Sequence, residues 1–295
     1  MTAHQTDNAG SHSQQQANNK PTGTTAMTFD IRKTALSAFS AGLIGLLTAA
    51  PSLAVETPPT LNDGVLTVGM EIAYPPFESY DGDDVVGFDP EVSEALADRL
   101  GLEVDYFDTR FPNLILGLNS GRFDTIISGM YILPDRTKQA DAIPYAKTGA
   151  AIMVLADSSV QPKEPEDLCG LTVGLQQGTS WVAKLSKLSS DYCEPNGKGP
   201  VQVREYPTSS ETSQALLSGN IQAHMEIVSA SNAIAEKSRG RITISSDHAL
   251  YPETLGIYVK KGNQPLYDAL KDAVEAFKAT DEYRTLLKKY DLEPA

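Results

Sequence analysis

Phe123-Asp-Thr-Ile-Ile-Ser-Gly-Met-Tyr-Ile-Leu-Pro-Asp-Arg136 decides how the chain is read. The stretch opens as a short β-branched apolar run, the pattern of a buried parallel strand over 125–128. It breaks at Ser128-Gly129, where the backbone turns freely and a hydroxyl and N–H groups become available. Pro134-Asp-Arg136 then adds a turn signal and a guanidinium. Strand end, small polar turn and one Arg are the parts from which an open α/β sheet builds an anion site at its carboxyl edge. Arg suits a carboxylate because its planar fork donates two parallel hydrogen bonds and keeps its charge. Taken alone, such an Arg is better read as a surface residue in a turn; the rest of the chain changes that reading.

Outward from that stretch the chain alternates. Apolar runs at 65–70, 102–107, 125–128 and 150–155 predict strands, separated by helices over 89–100 and 112–119. The first helix is expected to start from Asp89 as N-cap, with Pro90 at the first helical position. The cycle then repeats, with strands at 171–175, 201–206, 225–228 and 255–259. Helices fall at 180–188, 210–217 and 229–238, with one or two more over 265–290. Such alternation predicts parallel sheets flanked by helices. Leu66-Thr-Val-Gly-Met70 and Leu171-Thr-Val-Gly-Leu175 open the two cycles in nearly the same words, which fits two lobes of similar plan.

A chain of 295 residues suits two lobes better than one small core. Hydrophobic content of 41% and charged content of 21% are those of a globular protein. A formal net charge of −14 argues against nucleic acid or an anionic membrane as partner. It leaves small ligands open, since their sites are set locally.

The first residues, to about position 25, are rich in Gln, Asn, Ser and Thr, and Met27 is a plausible true start. Arg32-Lys33 then precedes an uncharged run of apolar and small residues over 34–50, ending in Pro-Ser-Leu-Ala54. Basic flank, short apolar run and small-residue exit make a cleavable secretory signal, with cleavage near Ala54 and a periplasmic mature chain from Val55. The run is too short and too rich in small residues to favour a membrane anchor. Cys169 and Cys193 are the only cysteines, an even number in an exported protein, so a disulfide is expected. Neither has a ligand-spaced partner for a metal, and no metal or cofactor is expected.

A set of motifs now carries a family resemblance. Val68-Gly-Met-Glu-Ile-Ala-Tyr-Pro-Pro-Phe-Glu78, Val86-Gly-Phe-Asp89, Phe111-Pro-Asn-Leu-Ile115, Gly121-Arg-Phe-Asp124 and the opening stretch follow one another in order. Asp167-Leu-Cys-Gly-Leu-Thr-Val-Gly174, Gln177-Gly-Thr179 and Leu255-Gly-Ile-Tyr-Val-Lys260 follow in the second half. From Leu61 to Leu292 the chain resembles the exported solute-binding proteins of polar amino-acid ABC transporters, the bacterial extracellular solute-binding protein family 3. The resemblance implies an α/β fold of two Rossmann-like lobes joined by a two-strand hinge, the type II periplasmic binding protein plan. A first lobe is expected over 55–149, a second over 150–246, and a return to the first over 247–295, after a leader of 1–54. It further implies a carboxylate-bearing small-molecule ligand, an amino acid or derivative, the transmembrane subunits of an ABC permease as partner, and a monomer.

Site residues follow one by one. Tyr74, stiffened by Pro75 and Pro76, is a rigid aromatic wall, with Phe77 packed beneath it. Phe111 is the second wall. Glu71 stands at a strand end where binders of cationic side chains in this family carry an acid. Ser128 and Gly129 offer groups to the ligand's ammonium and carboxylate, and Arg136 takes the carboxylate. Ser180, after Gly178-Thr179 at a helix start, adds N–H donors; Trp181 either reaches the pocket or caps the second lobe. Two departures from the family pattern stand out, one in the motif from Gly219 to Ile227 and one at Tyr131. Gln222 and Ile227 stand where acids are usual, the second being the residue that receives the ligand's ammonium. Glu226 is one residue away, which on a strand means the opposite face: either local geometry brings it in or that acceptor is missing. Tyr131 replaces a small hydroxyl residue, and Arg110 is placed to reach a second ligand carboxylate.

An enzyme of the same fold, a cyclohexadienyl dehydratase-like protein using Glu71 or Glu226 as acid, and a ligand-sensing module are the rival readings. No Ser-His-acid order or phosphate-binding glycine loop favours catalysis, and the four histidines are poorly placed for it.

Overall fold

A computed structural model describes residues 57–295. The expected leader, signal peptide and mature start at Val55 lie outside the described residues. In chain order the elements are β1 (Val65–Met70), β2 (Ala73–Tyr74), β3 (Glu78–Asp81), β4 (Asp84–Val86), α1 (Phe88–Leu100), β5 (Glu103–Asp108), α2 (Leu114–Asn119), β6 (Thr125–Ile126), α3 (Pro134–Thr137) and β7 (Ala140–Leu155). There follow β8 (Thr172–Gln176), α4 (Ser180–Leu188), β9 (Gln202–Tyr206), α5 (Ser209–Leu217), β10 (Ala223–Ile227), α6 (Val228–Lys237), β11 (Ile242–Ile244), β12 (Leu250–Lys260), α7 (Gln264–Lys278) and α8 (Asp281–Lys289).

Two parallel triplets form the lobes. β5, β1 and β6 run parallel in the first, and β9, β8 and β10 in the second. Each places short turns at the carboxyl ends of its strands, where an α/β sheet presents its ligands. The crossing strands β7 and β12 pair antiparallel over most of their length and join the triplets into one hydrogen-bonded sheet, β5-β1-β6-β12-β7-β10-β8-β9. The parallel sheets expected from the alternation are present as these triplets, and the antiparallel crossing strands make the joined sheet mixed. The strand expected at 150–155 is the last third of a 16-residue strand that carries the chain from one lobe to the other.

The hairpin β2–β3–β4 is a separate small sheet, and Tyr74 lies on it. Phe77 stacks parallel on Tyr74, ring centroids 5.3 Å apart, and is itself buried under the edge of Phe88. The aromatic wall thus stands on the core of the first lobe.

Asp89 does not cap α1. Gly87 occupies the cap position and the helix begins at Phe88. The Asp89 side chain is fully buried, accepting from the Gly129 N–H at 2.6 Å and the Tyr145 hydroxyl at 2.7 Å. Two tertiary donors outweigh a local capping bond, and Asp89 ties the turn after β6 to the hinge strand. Cys169 and Cys193 are joined by a disulfide, Cα atoms 5.4 Å apart, bracketing β8 and α4. Among the described residues no helix is long and apolar enough to cross a membrane.

Candidate functional site

The carboxyl ends of β1, β6, β8 and β10 converge on one cleft, closed down to a cavity of about 20 Å³. That is room for about one water, far short of the roughly 300–1,000 Å³ of ligand sites, so a ligand enters only when the lobes part. The first lobe contributes Glu71, Tyr74, Phe111, Gly129, Tyr131 and Arg136 to its walls. The second contributes Thr179, Ser180, Trp181 and Glu226. Of the residues expected from the sequence, Arg110 stays off these walls, and so does Ser128. Its hydroxyl donates to Glu78 Oε1 at 2.5 Å and accepts from the Glu71 N–H at 3.2 Å. Gly129 reaches the cleft, but its N–H is held by Asp89. These two residues fix the acids of the site rather than presenting free donors.

The cleft is closed by direct contacts between lobes. The Tyr74 hydroxyl donates to Glu226 Oε1 at 2.6 Å, and the Gln176 amide donates to Glu71 Oε2. Arg136 sits over the Phe111 ring at 5.3 Å, donating to the Tyr131 carbonyl at 2.9 Å and the Gly178 carbonyl at 3.0 Å. Two of its five N–H groups are thus used on backbone carbonyls.

Glu226 enters the cleft because β10 ends at Ile227, where the chain turns directly into α6. At that corner the two-residue alternation no longer holds, and both Glu226 and Ile227 line the wall. Glu226 Oε1 also accepts from the Ile227 N–H at 2.9 Å, and Oε2 faces His224 Nε2 at 3.8 Å. Burial pushes the Glu226 carboxyl above its ordinary value, against the pull of its bonds to Tyr74, Ser209 and the Ile227 N–H. Burial raises Glu71 likewise, opposed by Gln176, the Phe111 N–H and Arg110. Arg110 lies 3.8 Å from Glu71.

Thr179 precedes α4 but donates its hydroxyl to the Gln176 carbonyl at 2.8 Å instead of capping the helix. The first-turn N–H groups of α4 therefore have no side-chain cap, and that end of a helix favours negative charge. Trp181, buried in the first turn, packs edge-on against Tyr131 with centroids 5.9 Å apart. Six buried atoms on these walls have no hydrogen-bond partner in the protein: Glu71 Oε1, Glu78 Oε2, Tyr131 Oη, Ser180 Oγ, Trp181 Nε1 and Glu226 Oε2. Buried polar groups are ordinarily paired, so such a concentration makes this cleft the candidate ligand site.

Residues 66–293 match the family described as bacterial extracellular solute-binding proteins, family 3. The chain belongs to this family. The L-cystine-binding protein TcyJ of Escherichia coli (strain K12) is 29% identical over 230 residues, covering 77% of this chain and 82% of that protein. Among solved structures, an ancestral arginine-binding protein bound to arginine superposes with a TM-score of 0.70 at 32% identity, over 77% of this chain and 98% of that one. The ancestral amino acid-binding protein AncCDT-1, a precursor of cyclohexadienyl dehydratase, superposes with a TM-score of 0.66 at 28% identity, over 77% and 95%. All three are named as binding proteins rather than enzymes. The type II periplasmic binding protein fold of this solute-binding protein agrees with both structures.

Glu78, Gln176 and Ile227 also line the cleft and were not among the site residues expected. One signal in the sequence marks Gln176: it follows the second Leu-Thr-Val-Gly echo as Glu71 follows the first.

Proposed function

We propose that the protein is the extracytoplasmic receptor of an ABC transporter, capturing a polar amino acid by lobe closure and delivering it to the permease. The observation that carries this reading is the pairing of opposite poles in one closed cleft. Glu71 and Glu226 form an acceptor pole suited to ammonium and guanidinium groups. Arg136, Ser180 and the uncapped start of α4 form a donor pole suited to a carboxylate. Tyr74 and Phe111 supply flat walls for the aliphatic or cationic part between them. A ligand bridging the lobes stabilises the closed state by its differential affinity for it.

Two acids against one Arg favour a basic amino acid, and the arginine- and cystine-binding relatives support amino acids as the class. Glu226 takes the ammonium in place of the acid absent at Ile227. The site is read as non-catalytic: the buried acids already accept bonds from Tyr74, Gln176 and Ser128, which orients them as receptors. Export by the segment ending near Ala54 places the mature chain in the periplasm as a monomer.

A thermal-shift screen of the purified protein against arginine, lysine, ornithine, cystine and glutamine tests this. A ligand at about 100 times its Kd adds roughly 2.7 kcal/mol to stability. A rise with at least one amino acid is expected; no rise with any would overturn the reading.

A further inference from the structure

The crossing strands β7 and β12 are not the only link between the lobes. The segment after α8 also runs along the hinge. Glu293 pairs with Lys147 of β7 through two backbone bonds, its carbonyl accepting from the Lys147 N–H at 2.8 Å and its N–H donating back at 3.0 Å. Thr254 of β12 lies opposite the same Lys147 on the other edge of β7, so three segments stand side by side at the crossing.

Just before the crossing the chain is anchored on the first lobe. Lys289 Nζ and the Tyr290 hydroxyl donate to Glu91 Oε1 of α1 at 2.7 and 2.5 Å, and the Tyr290 ring packs edge-on against Phe88. The next residue, Asp291, is anchored on the second lobe. Its carboxylate accepts from the Asn232 amide at 3.2 Å and its carbonyl from the Ser229 hydroxyl at 3.4 Å, both on α6. α6 runs on directly from the corner that carries Glu226 and Ile227, so it moves with the second wall of the cleft. Neighbouring Cα atoms lie about 3.8 Å apart across a trans peptide, so anchors on consecutive residues leave no slack. Parting the lobes must therefore break one set of bonds or the other. The set described here belongs to a closed cleft.

The route of the segment is fixed by the end of α8. Asp291 is left-handed, with φ of 54°, and the Leu292 N–H bonds back to the Leu287 carbonyl at 2.9 Å. Glycine suits that helix-ending position best, and Asn or Asp tolerates it better than other side chains. Asp supplies what glycine lacks, an acceptor for Asn232.

Resting on the lobe closure proposed above, we propose that residues 290–293 are a strap that draws α6 toward the first lobe and raises the share of the closed state before any ligand arrives. A ligand that binds the closed state gains apparent affinity in proportion to that share. The strap thus tunes affinity without touching the ligand.

The test is solution scattering of the ligand-free protein, with isothermal titration of L-arginine, on wild type and three variants. Asp291→Gly keeps the left-handed turn and removes the carboxylate. Ser229→Ala combined with Asn232→Ala removes both donors from α6. Each is expected to enlarge the ligand-free radius of gyration and to weaken L-arginine binding by roughly three- to tenfold, the loss of one or two partly exposed hydrogen bonds. Asp291→Asn keeps both the turn and an acceptor oxygen and is expected to match wild type. An unchanged ligand-free radius in Asp291→Gly and in the double variant would overturn the strap, as would an equal enlargement in Asp291→Asn. Failure of wild type to bind any amino acid would overturn the receptor reading instead, and the ligand-free radii would still decide on the strap.

Discussion

Glu71 and Gln176 hold the same position after the two Leu-Thr-Val-Gly echoes, and the Gln176 amide donates to Glu71 Oε2 across the cleft. Two strands of equivalent plan, β1 and β8, thus end on side chains that meet each other. One is an acid and the other a neutral donor, so the contact attracts and leaves Glu71 Oε1 for a ligand. Gln176→Glu would set two carboxylates against each other in a buried place, where like charge is poorly screened. The expected outcome at neutral pH is an opened cleft, seen as a larger radius of gyration in solution scattering, and a ligand affinity at least roughly tenfold weaker. Restored closure on acidification to about pH 4.5 would identify the charge as the cause. An unchanged radius and affinity would mean that this contact does not govern closure.

Arg136→Ala removes the guanidinium that joins Tyr131 to Gly178 across the cleft and faces the carboxylate pole. Arg136 is half-buried at the rim rather than in the core, so the fold should persist, with an unchanged far-ultraviolet spectrum. Binding is expected to fall by roughly 100-fold or more, since a charge-assisted bidentate partner is lost. Arg136→Lys should recover little, because a single ammonium cannot reproduce the fork. Titration of both variants decides; near-normal affinity in Arg136→Ala would remove this residue from the carboxylate pole.

What was legible beforehand depended on whether the controlling forces were local. The helix over Ser180–Leu188 has the bounds expected from its pattern, because a turn signal starts it and apolar spacing sustains it. The hairpin at 73–86 was not foreseen: its polar Glu-Ser-Tyr-Asp-Gly-Asp-Asp run carries almost no apolar alternation, and it is fixed by packing under Tyr74 and Phe77. Asp89 read as a cap because its real partners, Gly129 and Tyr145, lie 40 and 56 positions away. Glu226 stayed open between the cleft and the opposite face, because two-residue alternation gives no answer at the end of the strand, where α6 takes over. The cleft walls were largely legible because they sit at strand ends marked by small residues and prolines. The pairings among the acids were not, since each spans the fold.

The Glu78–Asp89 pair should give the stability a pH dependence of definite sign. Both carboxyls are fully buried, and Ser128 and Gly129 bond to one each. Burial, then the neighbouring Asp89, pushes Glu78 well above its ordinary value, and burial pushes Asp89 up to about 6. Between the ordinary carboxyl range and those raised values the folded protein holds more protons than the unfolded chain. Stability from this pair is therefore present at acid pH and lost as pH rises, at a rate of up to about 1.4 kcal/mol per pH unit for one net proton. His224, pulled down to about 3 by burial, acts in the opposite sense below its unfolded value. Comparing wild type with Glu78→Gln cancels that contribution. The variant imitates the protonated acid, so wild type should lose stability relative to it from pH 5 to 7.5 in urea titrations. Parallel profiles would show that the pair does not titrate in this range.

The disulfide should serve stability more than affinity. It closes a loop of 24 residues around β8 and α4, both of which also pack into the second-lobe core. The loop-entropy relation gives about 3–4 kcal/mol for such a closure. Replacing both cysteines with Ser should lower the unfolding midpoint markedly while changing affinity less than tenfold, because Ser180 and Trp181 sit at the far end of α4 from Cys193. Calorimetry and titration of the same sample separate the two effects. A collapse of affinity at an unchanged midpoint would instead make the bond part of the site.

Gly87 connects backbone geometry to binding. Its φ of 137° belongs to glycine, and an added Cβ would lie 2.2 Å from the Phe77 carbonyl oxygen. That carbonyl and the Pro76 carbonyl accept the Asp89 and Phe88 N–H groups at 3.0 Å, which is how α1 is docked on the segment behind Tyr74. Backbone cannot yield as a flexible side chain can, so Gly87→Ala must displace either α1 or the hairpin. The expected cost is about 2 kcal/mol or more in denaturant unfolding. Displacing the hairpin moves Tyr74, and with it the 2.6 Å bond to Glu226 that spans the lobes, so affinity should fall together with stability. Lost stability with full affinity would show instead that α1 gives way and the aromatic wall keeps its place.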